Sequence, residues 1–281
     1  MLKKMIEEIR EQHILPDSVN QWRELKGGTN STVGVMGTMA IPHMYVVKSN
    51  TPEQIKAESL FYQIYDSISL LPKTKYVDPE HQYFIYEFVS GDSQYNRGSK
   101  QELMSQLIER MIQHYVIADE SVDFEWVEDP ARIEEDRIYS ESFIGSHLTE
   151  EDHRMVKDIH MRRISRVSKE KHYVLHGDFG VHNFLFENGT LSGVIDPLPK
   201  VGRPRYDLLY AFCSSPDELH LNILLNSVEQ LDSGPFHTQE LIEDMIAALY
   251  FRIATCLLHH PEDLQLYLKA WEEWKQHLAK G

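Results

Sequence analysis

Residues 174–196, VLHGDFGVHNFLFENGTLSGVID, constrain the fold of this chain more than any other stretch. Tyr173, Val174 and Leu175 are a short apolar run that feeds a strand into a tight polar loop, His176 to Asn183. Beyond it, Phe184-Leu185-Phe186 and the run from Leu191 to Ile195 flank Asn188-Gly189. That pair favours a type I′ turn, because both central positions take positive φ. The expected structure is therefore strand, polar loop, hairpin. The hairpin returns the chain so that Asp196 faces the loop holding Asp178 and Asn183. Two carboxylates and an amide oxygen then converge, all hard oxygen ligands of the kind that magnesium takes beside substrate phosphates.

Spacing sharpens the reading. Asp178 and Asn183 are five residues apart, as are the base and the metal-binding Asn of the kinase loop H-R-D-x-x-x-x-N. Asp196 stands where kinases carry the metal-binding Asp of D-F-G. With Gly177 for the kinase Arg and Asp196-Pro197 for Asp-Phe, the stretch resembles the aminoglycoside phosphotransferase and choline kinase-like family. A polar β-turn capped by chance with Asp and Asn is the competing explanation, and the loop, the hairpin and the second Asp together argue against it.

Composition narrows the partners. The chain has 281 residues, enough for one large domain or two lobes, and a net charge of −16. That balance argues against a nucleic-acid or anionic-membrane surface and permits a cationic partner. Cys213 and Cys256 sit in apolar helical contexts without a C-x-x-C, as expected of buried reduced thiols in a cytoplasmic protein. The N-terminal MLKKMIEEIREQ reads as an amphipathic helix with Leu2, Met5, Ile6 and Ile9 on one face, not as a signal sequence. No stretch reaches the apolar length of a membrane span.

Upstream of the central stretch, the motifs of a phosphate site come in order. Gly27, Gly28, Thr29, Asn30, Ser31 and Thr32 make a small-residue loop whose backbone N–H groups can cover phosphates, or simply turn a hairpin. A strand over 44–47 runs into Lys48, and Thr51-Pro52-Glu53 opens a helix that carries Glu58. The resemblance implies that Lys48, held by Glu58, pairs with the α- and β-phosphates of ATP, with GTP as an alternative. It also implies that the strand over 83–88 runs into a hinge, where backbone groups around Glu87 and Val89 meet the adenine edge.

In the same way the resemblance implies an α+β, two-lobed protein-kinase-like fold. A small antiparallel β lobe (1–90) binds the nucleotide, and a larger, mostly helical lobe (91–281) carries catalysis and the acceptor. Asp178 becomes the catalytic base, Asn183 and Asp196 the magnesium ligands, and His176 and Asp207 the supports of the catalytic loop. Family members usually carry Gly-Asp-Pro where this chain has Gly202-Arg203-Pro204, so the role of the family's carboxylate there has no counterpart. Gly180 stands where many protein kinases place a lysine, which favours a small-molecule acceptor over a protein.

The segment from Asp119 to Glu141 is dense in acid, with Phe124 and Trp126 interleaved. Together with Glu240, Glu243, Asp244, Glu272 and Glu273 it can receive a cationic acceptor, or it is a solvated face. The acceptor expected first is an aminoglycoside-like antibiotic, making the chain a resistance enzyme. Choline- or amino-sugar-type metabolites come second. A nucleotide-binding pseudokinase scaffold is the rival from another class. A monomer or homodimer is expected, without nucleic-acid or membrane partners.

Overall fold

The computed structural model describes residues 1–25, 31–119, 122–165, 171–231 and 236–280. They form two units, one joining Met1–Gln94 to Asn183–Pro199, the other joining Tyr95–His182 to Lys200–Gly281.

In the first unit, β1 (Gln21–Glu24), β2 (Thr32–Gly37), β3 (Tyr45–Ser49), β4 (Thr74–Val77) and β5 (Tyr83–Glu87) pair antiparallel in the order β1-β2-β3-β5-β4. Strand alternation divides their side chains between two faces. On one face Val47, Ile85, Met36 and Tyr83 pack against Leu2, Met5, Ile6 and Ile9 of helix α1 (Leu2–Glu11), the stripe that the sequence predicts. Gly34 admits the helix, since a Cβ there would sit 2.8 Å from Leu2. On the other face Lys48 and Phe84, paired in register, meet helix α2 (Pro52–Ile64). The Thr51 hydroxyl accepts from the Gln54 N–H, and Pro52 occupies the first turn, where its missing N–H costs nothing. Ile55, Glu58, Phe61 and Tyr62 are the buried face of α2, and Tyr62 lies 6.0 Å from the Phe84 ring and 5.8 Å from that of Tyr86.

Past β5 come β6 (Glu125–Trp126), β7 (Tyr173–Leu175), β8 (Phe184–Glu187), β9 (Thr190–Val194) and β10 (Lys200–Gly202). Strands β8 and β9 are the expected hairpin, with Asn188 and Gly189 at φ 52° and 79°. The hairpin belongs to the first unit, although it lies beyond the division at residue 90 read from the sequence. Val194 N–H donates to Leu70 O at 2.8 Å, and Phe186 exchanges two backbone hydrogen bonds with Asp92. Gly193 lies close to Val89, which a Cβ would meet at 2.5 Å.

In the second unit β6, β10 and β7 make a small mixed sheet. Around it run α3 (Lys100–Arg110), α4 (Pro130–Ile144), α5 (Glu150–Ser165), α6 (Arg205–Cys213), α7 (Leu221–Val228), α8 (Thr238–His259) and α9 (Leu264–Leu278). Helix α8 packs on α4, α5, α6 and α9 and is buried on most of its circumference, as its excess of apolar residues predicts. Helix α3 ends at Arg110. Met111 leaves helical geometry at φ −141° and ψ −62°, and a 3₁₀ turn over Ile112–His114 follows. The acidic segment is neither one helix nor one loop. Asp129 caps α4 by accepting from the N–H groups of Ala131 and Arg132. Cys213 and Cys256 are free and buried. Among the described residues no helix is long and apolar enough to cross a membrane.

Candidate active site

In the first unit three charged side chains meet. Lys48 Nζ lies 2.8 Å from Glu58 and 3.1 Å from Asp196 Oδ1. Lys48 and Glu58 are buried, with side chains 6% and 5% exposed, whereas Asp196 is 42% exposed and opens the cluster to solvent. Burial alone would pull the Lys48 ammonium down; Glu58 and Asp196 outweigh it and leave it raised. Burial pushes the Glu58 carboxyl up to about 7, with Lys48 opposing.

Asp196 adopts φ 56°, a left-handed conformation rare outside glycine, and its N–H donates to Tyr62 Oη at 3.2 Å. Strain of that kind persists where the surroundings hold it, here the hairpin behind Asp196 and the α2 tyrosine. Asn183 is buried, with Nδ2 3.5 Å from the Asp196 carbonyl oxygen and its own carbonyl accepting from Ile195 N–H. Asp196 Oδ2 has no partner among the described residues. Two hard oxygen donors, one on a solvent-open carboxylate, fit a magnesium ion. No group of three or more His, Cys, Asp or Glu that could hold a metal exists among the described residues. An ion here would therefore take its remaining ligands from phosphate and water, as magnesium commonly does.

The second unit holds the loop that carries Asp178. Gly177 turns it at φ 81°, which is why glycine stands there. Asp207, fully buried on the first turn of α6, accepts from the N–H groups of His176 (2.7 Å) and Gly177 (3.1 Å) and from Tyr115 Oη (2.6 Å). Burial pushes its carboxyl up to about 6 against the pull of those donors. His176 is buried beside Phe179, their rings 5.3 Å apart. Asp178 presents Oδ1 to the hydroxyl of Tyr210 (2.5 Å) and Oδ2 to His182 Nε2 (3.2 Å). Burial would raise the Asp178 carboxyl, yet His182 and Tyr210 hold it well below the usual carboxylate range.

Tyr210 also lines a cavity of about 310 Å³ within this unit, between α4, α6 and α8. Most of the acids named above as acceptor ligands are already in ion pairs. Glu243 meets Arg162 at 2.8 Å, Asp244 meets both Arg163 and Arg205 at 2.8 Å, and Glu134 and Glu141 hold Arg137. Arg203, the departure from the family pattern, is paired with Glu128.

No family model matches the sequence, and the search of curated proteins finds no match. Solved structures do resemble the chain along its whole length. An aminoglycoside phosphotransferase in a ternary complex with streptomycin and ATP superposes with a TM-score of 0.58 at 20% identity, over 97% of this chain and 95% of that one. Aminoglycoside 2'-phosphotransferase-IIIa bound to GDP gives 0.64 at 16% identity, over 98% of each chain. Choline kinase from Streptococcus pneumoniae gives 0.61 at 17% identity, over 100% of this chain and 99% of that one. This is the kinase-like fold of the aminoglycoside phosphotransferases.

Within that kinase-like fold, the sequence-predicted residues fall into three groups. Lys48, Glu58, Asn183 and Asp196 stand in the first unit, and Asp178, His176 and Asp207 share the loop of the second. Thr29 and Asn30 lie outside the described residues, Thr32 pairs with Ser49 in the β2–β3 ladder, and Ser31 precedes it. Glu87 has its N–H engaged by Lys73 O and its carboxylate by Lys75, and Val89 lies close to Gly193. Sequence reasoning missed Tyr62, Tyr210 and His182. Only His182 carried a signal, since it lies in the loop one helical turn beyond Asp178.

Proposed function

We propose that this chain transfers the γ-phosphoryl group of ATP to a hydroxyl of a small molecule, with GTP as the alternative donor. The observation that carries this reading is the buried Lys48 ammonium held between Glu58 and the solvent-open Asp196. Burying an ammonium is costly unless it is paired, and this pairing keeps it charged at a position where an anion can approach from solvent. Lys48 would bind the α- and β-phosphates, and Asn183 and Asp196 would hold magnesium. Held there, magnesium would supply positive charge to offset the charge developing on the leaving group.

Asp178 takes the acceptor's hydroxyl. The new bond joins that oxygen to the γ-phosphorus, the bond from the γ-phosphorus to the β-bridging oxygen breaks, ADP leaves, and the hydroxyl proton passes to Asp178. A carboxylate held so low is a weak base in the ground state. Its main work is to orient the hydroxyl, with proton transfer completed late, which suits a loose transition state. Tyr210 and His182 hold the carboxylate in one rotamer and supply the positioning that this reaction needs.

The test is ADP release with magnesium-ATP across streptomycin, choline, amino sugars and hydroxy acids, with Asp178→Asn as control. Acceptor-dependent release that the substitution abolishes supports the reading. Absence of magnesium-ATP binding in calorimetry sinks it.

A further inference from the structure

The cavity beside Tyr210 has the wrong charge for a polycation. Six of its lining side chains are basic and four are acidic, in a chain whose net charge is −16. Its inner wall decides the balance. Asp244, on α8, has a side chain only 6% exposed and is shared by Arg163 and Arg205, so two guanidinium groups bracket one carboxylate. About two turns further along α8, Arg252 donates to Tyr267 Oη and Ser214 O, both at 2.9 Å, and meets no carboxylate within ion-pair reach among the described residues. At the outer end, Glu125 and Glu128 are matched by Lys200 and Arg203. Ile133, Tyr206 and Phe251 supply an apolar floor.

Helix periodicity builds this wall. Asp244, Ala248, Phe251, Arg252 and Thr255 line the cavity from α8, and Arg205, Tyr206, Leu209 and Tyr210 do so from α6. The cavity-lining part of α6 thus carries an arginine at its start and, about a turn and a half on, the tyrosine that grips Asp178. An anion seated against Arg205 and Arg252 would have its other end near Tyr210.

We infer that the acceptor is a hydroxy compound with an apolar body and a carboxylate or phosphate, and that Arg163, Arg205 and Arg252 receive that anion. Planar guanidinium forks match both groups bidentately. This deepens the phosphotransferase reading and rests on it, since the cavity is assigned as the acceptor site through Tyr210 and Asp178. An amine in the same place would face an arginine excess and find the deepest of the lining carboxylates, Asp244, doubly occupied.

The experiment uses the full chain and a matched pair of alcohols, para-hydroxymethyl benzoate and para-hydroxymethyl benzylamine, with streptomycin as a third probe. Calorimetry should show the benzoate binding at least about tenfold more tightly than the benzylamine, with affinity falling as salt rises. Arg252→Gln should cut that preference severalfold. Because Arg252 also holds Tyr267 and Ser214, Arg205→Gln, which leaves Asp244 paired with Arg163, serves as the second variant. Equal or tighter binding of the benzylamine or streptomycin overturns the proposal, as does a benzoate that fails to bind up to about 10 mM. A parallel magnesium-ATP titration reports separately on the phosphotransferase reading, so the two failures are told apart.

Discussion

Lys48 and Glu58 are worth more as a pair than either is alone. Each is buried, and their 2.8 Å contact compensates a desolvation that neither bears unaided. Lys48→Met should cost about 3 kcal/mol, read by urea melts, and the cost should be smaller at pH 5 than at pH 8. With the lysine gone, the Glu58 carboxyl rises beyond its present value of about 7 and takes up a proton as pH falls. The double variant Lys48→Met/Glu58→Leu should regain most of the stability and none of the ADP release. Recovery of turnover would remove Lys48 from the phosphate site. Asp207 allows a second test at the same scale. Its buried carboxyl sits at about 6, above the ordinary carboxylate value, so its folded form prefers the proton. Its favourable contribution is whole below about pH 4 and is lost as pH rises through about 6. The melting temperature of the wild type minus that of Asp207→Asn should therefore shrink between pH 4 and pH 7. A difference that grows over that interval would mean the three donors, not burial, set this carboxyl.

Two glycines of like conformation separate element-level stability from chemistry. Gly177 turns the Asp178 loop at φ 81°, and Gly189 turns the β8–β9 hairpin at φ 79° with open space where a Cβ would go. Alanine at either should cost about 1–2 kcal/mol of backbone strain. Gly177→Ala should also lower ADP release steeply, because the Gly177 N–H is one of the bonds that holds the loop to Asp207. Gly189→Ala should leave turnover per folded molecule near that of the wild type. Equal losses of turnover would contradict the separation. These elements were legible in the sequence for a local reason. An Asn-Gly turn, an N-cap before Pro52 and the α1 stripe each lie within a few residues of the structure they dictate. What stayed hidden depends on distant contacts. Tyr62 reaches Asp196 across 134 positions and Tyr210 reaches Asp178 across 32. The hairpin's place in the first unit rests on Leu70 and Asp92. The ion pairs of Asp244 were hidden for the same reason, since its two arginines stand 81 and 39 positions before it in sequence.

On the scale of the whole molecule, charge acts in opposite senses near and far. The net charge of −16 makes a field that repels anions at distance. Close in, on the proposed reading, Lys48 and the cavity arginines would attract them over a few ångströms, where little mobile salt intervenes. Magnesium-ATP is itself an anion, so on the proposed reading its approach would cross the repulsive field before it reached Lys48. Raising ionic strength from about 10 mM to about 150 mM shortens the screening length from about 30 Å to about 8 Å. The distant repulsion is removed first, and the contacts at about 3 Å are weakened least. Stopped-flow binding of magnesium-ATP should thus show an association rate that climbs severalfold over this range, with a dissociation rate that changes less. Steered association of unlike charges gives the reverse trend. A rate that falls with salt would show that local positive potential governs the whole approach, and that the acidic surface is too distant from the nucleotide's path to matter.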